Sequence, residues 1–307
     1  MALPLTVLPL PSVGAEDVLV GPDGRVWTGT DDGCVYAVEP ETGVATLVGA
    51  TGGRPLGLEW LPSGEMLICD AERGLLAMDP HTGEIQPLLH EVDGIPLKFS
   101  NNAAVATDGT IWFSDSSRHF GVEQWKSDLI RHTCSGRLLR LGPDGHVETV
   151  VDGLGFANGV ALAGDESAVY VAETALRRVQ RVALSGPAAG RAEPWVSGLP
   201  GYPDNISRGS DGLIWVSIAS PPDPTLTVLQ KSPSLLRRVV DQAPEALKPK
   251  PRRTVRVTAY APDATLVHDL TFDASRWHMA TGVREHAGRV WLGSLVEAAI
   301  AVGNVPR

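Results

Sequence analysis

The chain has 307 residues, of which 43% are hydrophobic and 20% are charged, a composition typical of a globular protein with a large core. Its formal net charge of −10 argues against binding to nucleic acid, which needs a basic face, and against docking on an anionic membrane surface. The three cysteines lie far apart and form no CxxC pair, which argues against a zinc site and a disulfide framework.

The N-terminal segment, residues 1–17, lacks the basic start and the long apolar stretch of a signal peptide. No segment of the sequence reaches the roughly 18 consecutive apolar residues that a membrane helix needs. We therefore expect a cytoplasmic protein without a membrane anchor.

One pattern recurs along the chain: a short apolar run, a turn centred on Asp-Gly or a similar pair, and a β-rich run that often holds Trp. Each copy is typical of a hairpin in which glycine supplies the positive φ of the turn. Such a repeat indicates one supersecondary unit used many times. The copies occupy residues 16–30, 56–70, 101–115, 158–173, 204–218 and 281–294.

Further turns lie between the copies, at residues 41–43, 81–83 and 143–145, and are expected to join the outer strands of each unit. Four strands per unit at this spacing predict the blades of a propeller. A β-sandwich also has alternating strands, but it has no reason to repeat one motif six times. We therefore predict an all-β, six-bladed β-propeller with four-stranded antiparallel blades, a single domain over residues 1–307. The N-terminal LPLTVLPL is expected to complete the last blade.

Oxygen-bearing side chains recur at one position of the repeat. Counting back seven residues from the first residue of the turn reaches this position, which is the entry of the innermost strand beside the propeller axis. The same count gives Leu56 and Ala280 in the other two blades, so the repeat itself does not require polarity there. The four polar residues are Glu16, Asn101, Asn158 and Asp204.

This ring predicts a site for one divalent cation. Hard cations such as calcium bind carboxylate and amide oxygens, and two carboxylates balance a divalent charge. The ring contains no His or Cys, which disfavours zinc and copper. Calcium is the first choice, with magnesium or manganese as alternatives. Asn and Asp at strand entries often make local backbone hydrogen bonds instead, but four of them in one register favour a shared ligand.

Two long insertions are predicted to form lids over this end of the propeller, because long loops in compact folds are often functional. The first covers about residues 116–135, and the second, rich in proline, covers about 219–255. Within the second, residues 232–247 have the pattern of a short amphipathic helix. The basic stretch at 248–253 is interpreted as a solvated segment.

Aromatic and histidine side chains supply the remaining candidates for the pocket. Trp125, Tyr202 and Trp277 are candidate apolar walls, although core packing explains each of them equally well. The histidines titrate near neutral pH and are alternatives to a carboxylate as the general base. These histidines are His119, His132 and His278, of which His119 and His278 are also candidate pocket residues.

Several segments, taken together in this order, resemble the strictosidine synthase-like branch of the calcium-dependent six-bladed propellers, a superfamily that includes the paraoxonases and the gluconolactonase/regucalcin group. The resemblance covers most of the chain. It is carried by NNAAVATDGTIWFSDSS at 101–117, FANGVAL at 156–162, YVAET at 170–174, GYPDNI at 201–206 and REHAGRVWLGS at 284–294.

The resemblance implies metal ligation by the same four ring residues, and it adds Asn205 as a further ligand. It also implies that Asp204 is a candidate general base. Four departures matter. Where strictosidine synthase has a Glu-His-Asp-Gly motif, this chain has Ala287 in place of the Asp. Thr281 stands where that enzyme has its catalytic Glu, which disfavours a strictosidine-type condensation. Asn102 stands where relatives often carry Asp, and the paraoxonase histidine pair has no match.

These observations together predict a calcium-dependent hydrolase of a lactone or related ester, with a small-molecule substrate and with neither nucleic acid nor membrane as a partner. The alternative is a non-catalytic binding propeller in which the metal has a structural role. A condensation of the strictosidine type ranks last. The sequence leaves the substrate and the oligomeric state open.

Overall fold

The computed structural model describes residues 2–244 and 248–306, and antiparallel strands make up most of it. Six four-stranded sheets follow one another along the chain; five have their strands in sequential order, and the sixth takes the N-terminal strand as its outer strand. The first strand of each sheet lies beside the first strands of its neighbours, around a common axis. The six-bladed β-propeller predicted from the repeat is confirmed.

The strands are numbered in chain order, and each blade runs from its axial strand to its outer strand. The N-terminal strand is β1 (Thr6–Pro9). Blade 1 has β2 (Leu19–Val20), β3 (Val26–Gly29), β4 (Cys34–Val38) and β5 (Ala45–Ala50); blade 2 has β6 (Pro55–Trp60), β7 (Met66–Asp70), β8 (Gly74–Met78) and β9 (Ile85–Leu89). A small hairpin follows, with β10 (Glu91–Val92) and β11 (Ile95–Pro96).

The second half of the chain repeats this plan. Blade 3 has β12 (Ser100–Val105), β13 (Ile111–Asp115), β14 (Gly136–Leu141) and β15 (Val147–Leu154); blade 4 has β16 (Ala157–Leu162), β17 (Ala168–Glu173), β18 (Arg178–Ala183) and β19 (Ala192–Ser197). Blade 5 has β20 (Tyr202–Arg208), β21 (Ile214–Ser220), β22 (Arg256–Tyr260) and β23 (Leu266–Thr271); blade 6 has β24 (Ala280–His286), β25 (Arg289–Ser294) and β26 (Ala299–Asn304).

The N-terminal strand closes the ring, as the sequence predicts. Strand β1 pairs with β26 and becomes the outer strand of blade 6, with Thr6 opposite Val302. A second link follows at Ala15, which forms a bridge to Ser294 just before the chain enters blade 1. Closure by both ends of the chain leaves no unpaired first or last blade.

The tryptophans of the repeat lie in the core between blades. They stand on the second strand of blades 1, 3, 5 and 6, where neighbouring sheets pack face to face. At most 8% of each is exposed, so each buries most of its large apolar surface between two blades. These residues are Trp27, Trp112, Trp215 and Trp291.

Both predicted insertions lie between the second and third strands of their blades and carry short helices. In blade 3, a 3-10 turn at Val122–Gln124 leads into α1 (Trp125–Arg131). In blade 5, α2 (Pro224–Gln230) is followed by α3 (Ser234–Asp241). The helix predicted at 232–247 is thus observed over its first part, and residues 245–247 lie outside the described residues.

Apolar side chains of α1 and α2 form one cluster with residues at the entries of the axial strands, so the helices cover one end of the axis. The short 3-10 turn Gly186–Ala188 lies elsewhere, in the hairpin between β18 and β19. Within 2–244 and 248–306, no helix is long and apolar enough to span a membrane.

Candidate functional site

The axial strands are bulged at the predicted ring position. In blade 3, the pairing of β12 with β13 jumps from Ser100 to Ala103, so Asn101 and Asn102 have no partners opposite them. A bulge redirects side chains, and here it turns two consecutive residues toward the axis. The equivalent pairs in the other bulged strands are Leu56–Gly57, Asn158–Gly159, Asp204–Asn205 and Thr281–Gly282. Glu16 and Asp17 hold this place in blade 1, between Ala15 and β2.

The first residue of each pair forms an upper layer, which lines the floor of one cavity. The structure therefore brings together the four residues predicted from the repeat. It corrects the register in blade 6, where Thr281 rather than Ala280 belongs to this layer. The reason is the turn: His286 pairs directly with Arg289, so the hairpin of blade 6 is tighter than the others. The upper layer consists of Glu16, Leu56, Asn101, Asn158, Asp204 and Thr281.

The second residue of each pair forms a lower layer in which side chains and glycines alternate around the axis. A Cβ atom on Gly159 would lie 2.1 Å from the backbone nitrogen of Ile206. Added Cβ atoms in blades 2 and 6 would similarly collide with the backbone of the neighbouring bulge. Every other blade must therefore carry glycine, because the axis has room for three side chains only. The alternating residues are Asp17, Gly57, Asn102, Gly159, Asn205 and Gly282.

Two side chains of the lower layer bind each other and the backbone. The Oδ2 atom of Asp17 accepts hydrogen bonds from the backbone N–H of Leu58 at 3.1 Å and from Nδ2 of Asn102 at 3.3 Å. The Oδ1 atom of Asn102 in turn accepts from the backbone N–H of Val160 at 2.9 Å. Asn102 thus bridges blades 1 and 4, and its amide uses both a donor and its acceptor within the protein.

The amide oxygens around the upper layer have no such partners. The Nδ2 atom of Asn205 donates to both carboxylate oxygens of Glu16, at 3.0 and 3.1 Å, and Nδ2 of Asn158 donates to the Oγ1 of Thr174 at 3.2 Å. In contrast, the Oδ1 atoms of Asn101, Asn158 and Asn205 are buried and accept no hydrogen bond. Buried acceptors without a donor are costly, and three of them converging near two carboxylates indicate a site for a cation.

The surroundings of the two carboxyl groups in the upper layer disfavour their ionised forms and raise their pKa values. Burial raises the pKa of Glu16 well above its ordinary value, and the neighbouring carboxylates of Asp204 and Asp17 raise it further. Burial also raises the pKa of Asp204 to about 7, against the effect of a hydrogen bond from Asn158. A cation would reverse both effects, because it favours the ionised carboxylate.

The donors fit an oxygen-binding divalent cation. Carboxylate and amide oxygens are the ligands that hard cations prefer. The described residues contain no group of three or more His, Cys, Asp and Glu side chains that could hold a metal, so the two carboxylates depend on the amides to complete the ligand set. Glu16, Asn101, Asn158 and Asp204 would hold the ion, with Asn205 placed just below them.

The predicted pocket residues fall into two groups. Trp125 and Tyr202 line the cavity above the ring, and His278 lines an adjoining polar cavity, where its ring contacts the carboxylate of Glu297. Two expectations are corrected. His119 is exposed on the insertion and does not line the cavity, and Trp277 is buried in the core of blade 6, where its Nε1 donates to the carbonyl of Ala299 at 3.0 Å.

His132, the third candidate base, also lies away from the ring. It ends α1 in the left-handed conformation and is absent from the cavity lining. Burial lowers its pKa, since the surroundings disfavour the charged imidazolium. Its position favours a role in ending the helix.

Of the four residues that form the cavity wall in blades 3 to 6, the sequence reasoning found Tyr202 and missed the other three. All four stand two positions before the upper-layer residue in four consecutive blades, so the signal is an aromatic or other large apolar residue at that spacing. In blades 1 and 2 the same position holds Gly14 and Arg54. The wall residues of blades 3 to 6 are Phe99, Phe156, Tyr202 and Met279.

Two of these wall residues hold a strained backbone. Phe156 has φ of 62° and Met279 has φ of 57°, in the left-handed region. Gly14, at the equivalent place in blade 1, has φ of 77°, which costs glycine nothing. A bulky residue pays about 1 to 2 kcal/mol for this conformation. The chain therefore keeps large side chains over the ring at positions where glycine would adopt the backbone conformation without strain.

Comparison with known proteins places the chain among propellers of this kind. Residues 31–223 match the model for the SMP-30/gluconolactonase/LRE-like region, and residues 4–38 match the strictosidine synthase-like N-terminal model. The chain is 35% identical to an adipocyte plasma membrane-associated protein of Salmo salar over 240 residues, which covers 70% of this chain and 57% of that protein. It is likewise 35% identical to the protein STRICTOSIDINE SYNTHASE-LIKE 6 of Arabidopsis thaliana, with 67% and 56% covered. The chain thus spans little more than half the length of these two relatives.

Solved structures share the fold at lower identity. A gluconolactonase from Xanthomonas campestris superposes with a TM-score of 0.72 and 17% identity, covering 98% of this chain and 89% of that one. Regucalcin from Agrobacterium tumefaciens, described as a calcium-binding protein, superposes with a TM-score of 0.70 and 16% identity, covering 99% and 95%. On the family matches and the closer relatives, this chain belongs to the SMP-30/gluconolactonase/LRE-like family, in its strictosidine synthase-like branch.

Proposed function

We propose that this chain is a divalent-cation-dependent hydrolase of lactones or related esters, with calcium as the first-choice cation and magnesium or manganese as alternatives. The observation that carries the proposal is the set of three buried amide oxygens without a partner, those of Asn101, Asn158 and Asn205. They lie beside the carboxylates of Glu16 and Asp204, at the floor of an open cavity. The similarity to a gluconolactonase and to a calcium-binding regucalcin supports both parts of the proposal.

A cation bound there would supply positive charge that polarises the substrate carbonyl and stabilises the negative charge developing on its oxygen. Asp204 is the candidate general base, since it lines the cavity. Its pKa of about 7 without a cation falls when a cation binds, so the loaded protein holds it ionised and able to accept a proton.

The reaction then follows from the residues in place. Asp204 accepts a proton from a water molecule while the oxygen of that water bonds to the carbonyl carbon. The ester C–O bond breaks, and the proton passes from Asp204 to the departing oxygen, which becomes the hydroxyl of a hydroxy acid. Thr281 offers no carboxylate for a condensation; its Oγ1 instead donates to the carbonyl of Glu16 at 2.7 Å and holds that backbone in place.

The test is hydrolysis of a panel of γ- and δ-lactones and aryl esters by the whole chain, with calcium added and after chelation. We expect turnover that disappears on chelation, returns with calcium and is lost in Asp204→Ala. Asp263→Ala, which removes a carboxylate from an exposed turn, is the matched control and should leave turnover unchanged. If no substrate is turned over while chelation still lowers the melting temperature, the protein is a binding propeller with a structural cation.

A further inference from the structure

The cavity above the upper layer has a polar floor and an apolar wall. Its volume is about 890 Å³, including the space at its open mouth. Polar groups lie at the floor, on the upper layer and on Thr174, and four further polar residues belong to the lining, Lys126, Ser220, Asp223 and Lys250. The wall is formed by the large side chains of blades 3 to 6, by Leu56 and by the insertions, whose apolar contributions are Val122, Trp125, Leu129, Ile130 and Leu226.

The apolar wall is one packed surface rather than a set of isolated side chains. Phe99 and Phe156 meet edge to face, with ring centroids 5.4 Å apart, and both belong to the same buried cluster as α1 and α2. The wall of blade 5 is Tyr202, whose hydroxyl accepts a hydrogen bond from the backbone N–H of Asp223 at 3.1 Å. That hydroxyl is therefore engaged with the base of α2, and the ring presents an apolar face.

The cavity lining beside blades 1 and 2 differs from the apolar wall of blades 3 to 6. There the wall position holds Gly14 and Arg54, and a second cavity of about 1030 Å³, including the open solvent at its mouth, adjoins the first. Arg54, Asp31, Glu123 and His278 line this second space beside apolar residues, so charged groups gather on this side of the first cavity. A molecule whose carbonyl rests on the floor would thus have an apolar surface on one side and charged groups on the other.

This division selects among lactones. A polyhydroxylated sugar lactone would bring several hydroxyl groups against the apolar wall, where they would lose water without gaining partners. An alkyl or aryl group would instead bury its surface there. The strained backbones of Phe156 and Met279 point the same way, because strain retained over a site indicates that the side chains serve it.

We propose that the substrates of this site are lactones or esters with an alkyl or aryl substituent, that polyhydroxylated lactones are excluded, and that Phe156 and Met279 are specificity-determining residues. This inference rests on the proposed hydrolase function. The substituent lies against the wall of blades 3 to 6 under α1 and α2. The hydroxy acid released by hydrolysis carries a carboxylate, which faces the cavity that Arg54 lines.

The first experiment measures kcat/KM, with calcium present, for δ-lactones that differ only in their alkyl chain, and for glucono-δ-lactone. We expect kcat/KM to rise by about two- to fourfold for each methylene, up to about six carbons, because each buried methylene contributes up to about 0.8 kcal/mol. We expect glucono-δ-lactone to be at least about 100-fold poorer than δ-decalactone. A flat series, or glucono-δ-lactone as the best substrate, would overturn the inference and leave the hydrolase function intact.

The second experiment uses Phe156→Gly, which removes the ring but keeps a residue that adopts positive φ without cost. Its kcat/KM for δ-decalactone should fall at least about tenfold, while that for unsubstituted δ-valerolactone should change by less than about threefold. Met279→Gly should act in the same direction. Ala264→Gly, at φ of 68° in a turn outside the cavity, is the matched control and should change neither value. Equal losses on both substrates would contradict a role in specificity.

A binding measurement separates failure of this inference from failure of the proposed function. Cyclic ketones with the same alkyl chains cannot be hydrolysed, and their binding can be followed by thermal shift. If no lactone is turned over but longer ketones bind more tightly, and Phe156→Gly removes that trend, the pocket is as inferred and the hydrolase proposal is wrong. If chain length changes neither turnover nor ketone binding, the inference is wrong.

Discussion

In blade 3, two neighbouring residues of one β-bulge lie in the two axial layers and have opposite properties. In the lower layer, Asn102 donates to Asp17 and accepts from the backbone of Val160, so its amide is satisfied within the protein. In the upper layer, one residue earlier in the chain, the amide oxygen of Asn101 is buried without a partner. The two residues share a strand, a bulge and a side-chain type. What separates them is whether the protein itself supplies their partners.

This comparison indicates which layer is built to bind something. A polar group that is satisfied internally holds the blades together and gains nothing from a ligand. A buried acceptor without a donor lowers stability until a cation supplies the missing charge. The axis therefore combines a binding layer with a lower layer in which Asp17 and Asn102 have a structural role, while Asn205 turns an amide oxygen without a partner to the cation site. The following experiments test that division in order of decreasing expected effect.

Removing a carboxylate from each layer should give very different results. Asp204→Asn should lower turnover by about 1,000-fold, because it removes both a ligand and the general base. It should also weaken calcium binding by more than about 100-fold, as measured by calorimetric titration. Asp17→Asn, the matched change in the lower layer, should weaken calcium binding by no more than about tenfold, since that charge acts on the ion through space only. If the two variants lose binding equally, the lower layer belongs to the cation site.

Replacing the adjacent amides separates the layers by stability. In chelated protein, Asn102→Leu should cost about 2 to 4 kcal/mol of unfolding free energy, because Asp17 and the N–H of Val160 lose a buried partner. Asn101→Leu should cost less than about 1 kcal/mol, since its amide oxygen has no partner to lose. Urea denaturation measures both values.

The same two variants should differ in their response to added calcium. Calcium at about 100 times its Kd should stabilise the parent chain, and Asn102→Leu, by about 2.7 kcal/mol. Asn101→Leu should lose this gain. A stabilisation by calcium that survives in Asn101→Leu would remove that residue from the ligand set.

The upper layer should also make the cation-free protein sensitive to pH. The folded protein holds a proton on Asp204 up to a pKa of about 7, against an ordinary value of 3.8, and Glu16 shifts in the same direction. Between about pH 4 and pH 7 the folded state therefore binds more protons than the unfolded chain, so stability falls as the pH rises through that window.

In chelated protein, the free energy of unfolding should fall by about 2 to 4 kcal/mol over this range. Urea denaturation at each pH measures it. Calcium should abolish most of the fall, because the bound carboxylates are ionised at both ends of the range. The Asp204→Asn variant should make the fall in chelator smaller, leaving the contributions of Glu16 and of Asp17, whose burial raises its pKa to about 6. Stability that rises from pH 4 to pH 7 in chelator would contradict this account.

Much of this arrangement could be predicted from the sequence. The Asp-Gly turns fix the hairpins, and a constant spacing from the turn to the strand entry places Glu16, Asn101, Asn158 and Asp204 in one ring. The spacing gave Ala280 instead of Thr281 in blade 6, because a tighter turn shortens that hairpin and a count along the chain does not detect it.

The division of the axis into two layers could not be predicted from the sequence, for a physical reason. Side chains of consecutive strand residues normally point to opposite faces, and only the bulges bring Asp204 and Asn205 to the same axis. Glycine in every other blade was a visible signal of this crowding. However, contacts between blades decide which amide oxygens have partners, as in the hydrogen bond from Val160 to Asn102. Such contacts are visible only in the three-dimensional structure.

The smallest expected effect concerns the hydroxyl groups behind the bulges. Ser114 and Ser217 occupy equivalent places on the second strands of blades 3 and 5. The Oγ of Ser114 bonds within its own blade, to the carbonyl of Asn102 at 3.3 Å. The Oγ of Ser217 lies 3.0 Å from the carbonyl of Asn205 and 2.5 Å from that of Thr281, so it links the upper layer of blade 6 to blade 5.

Ser217→Ala and Ser114→Ala should therefore cost similar stability, about 1 kcal/mol each, measured by urea denaturation in chelator. Only Ser217→Ala should weaken calcium binding, by about two- to fivefold, because it frees the backbone that positions Asn205 and Thr281. The lower-layer bond of Ser114 holds Asn102, which the cation does not need. Equal losses of calcium affinity in the two variants would mean that the layers are mechanically coupled, and that the division between a structural and a binding layer holds for their contacts but not for their function.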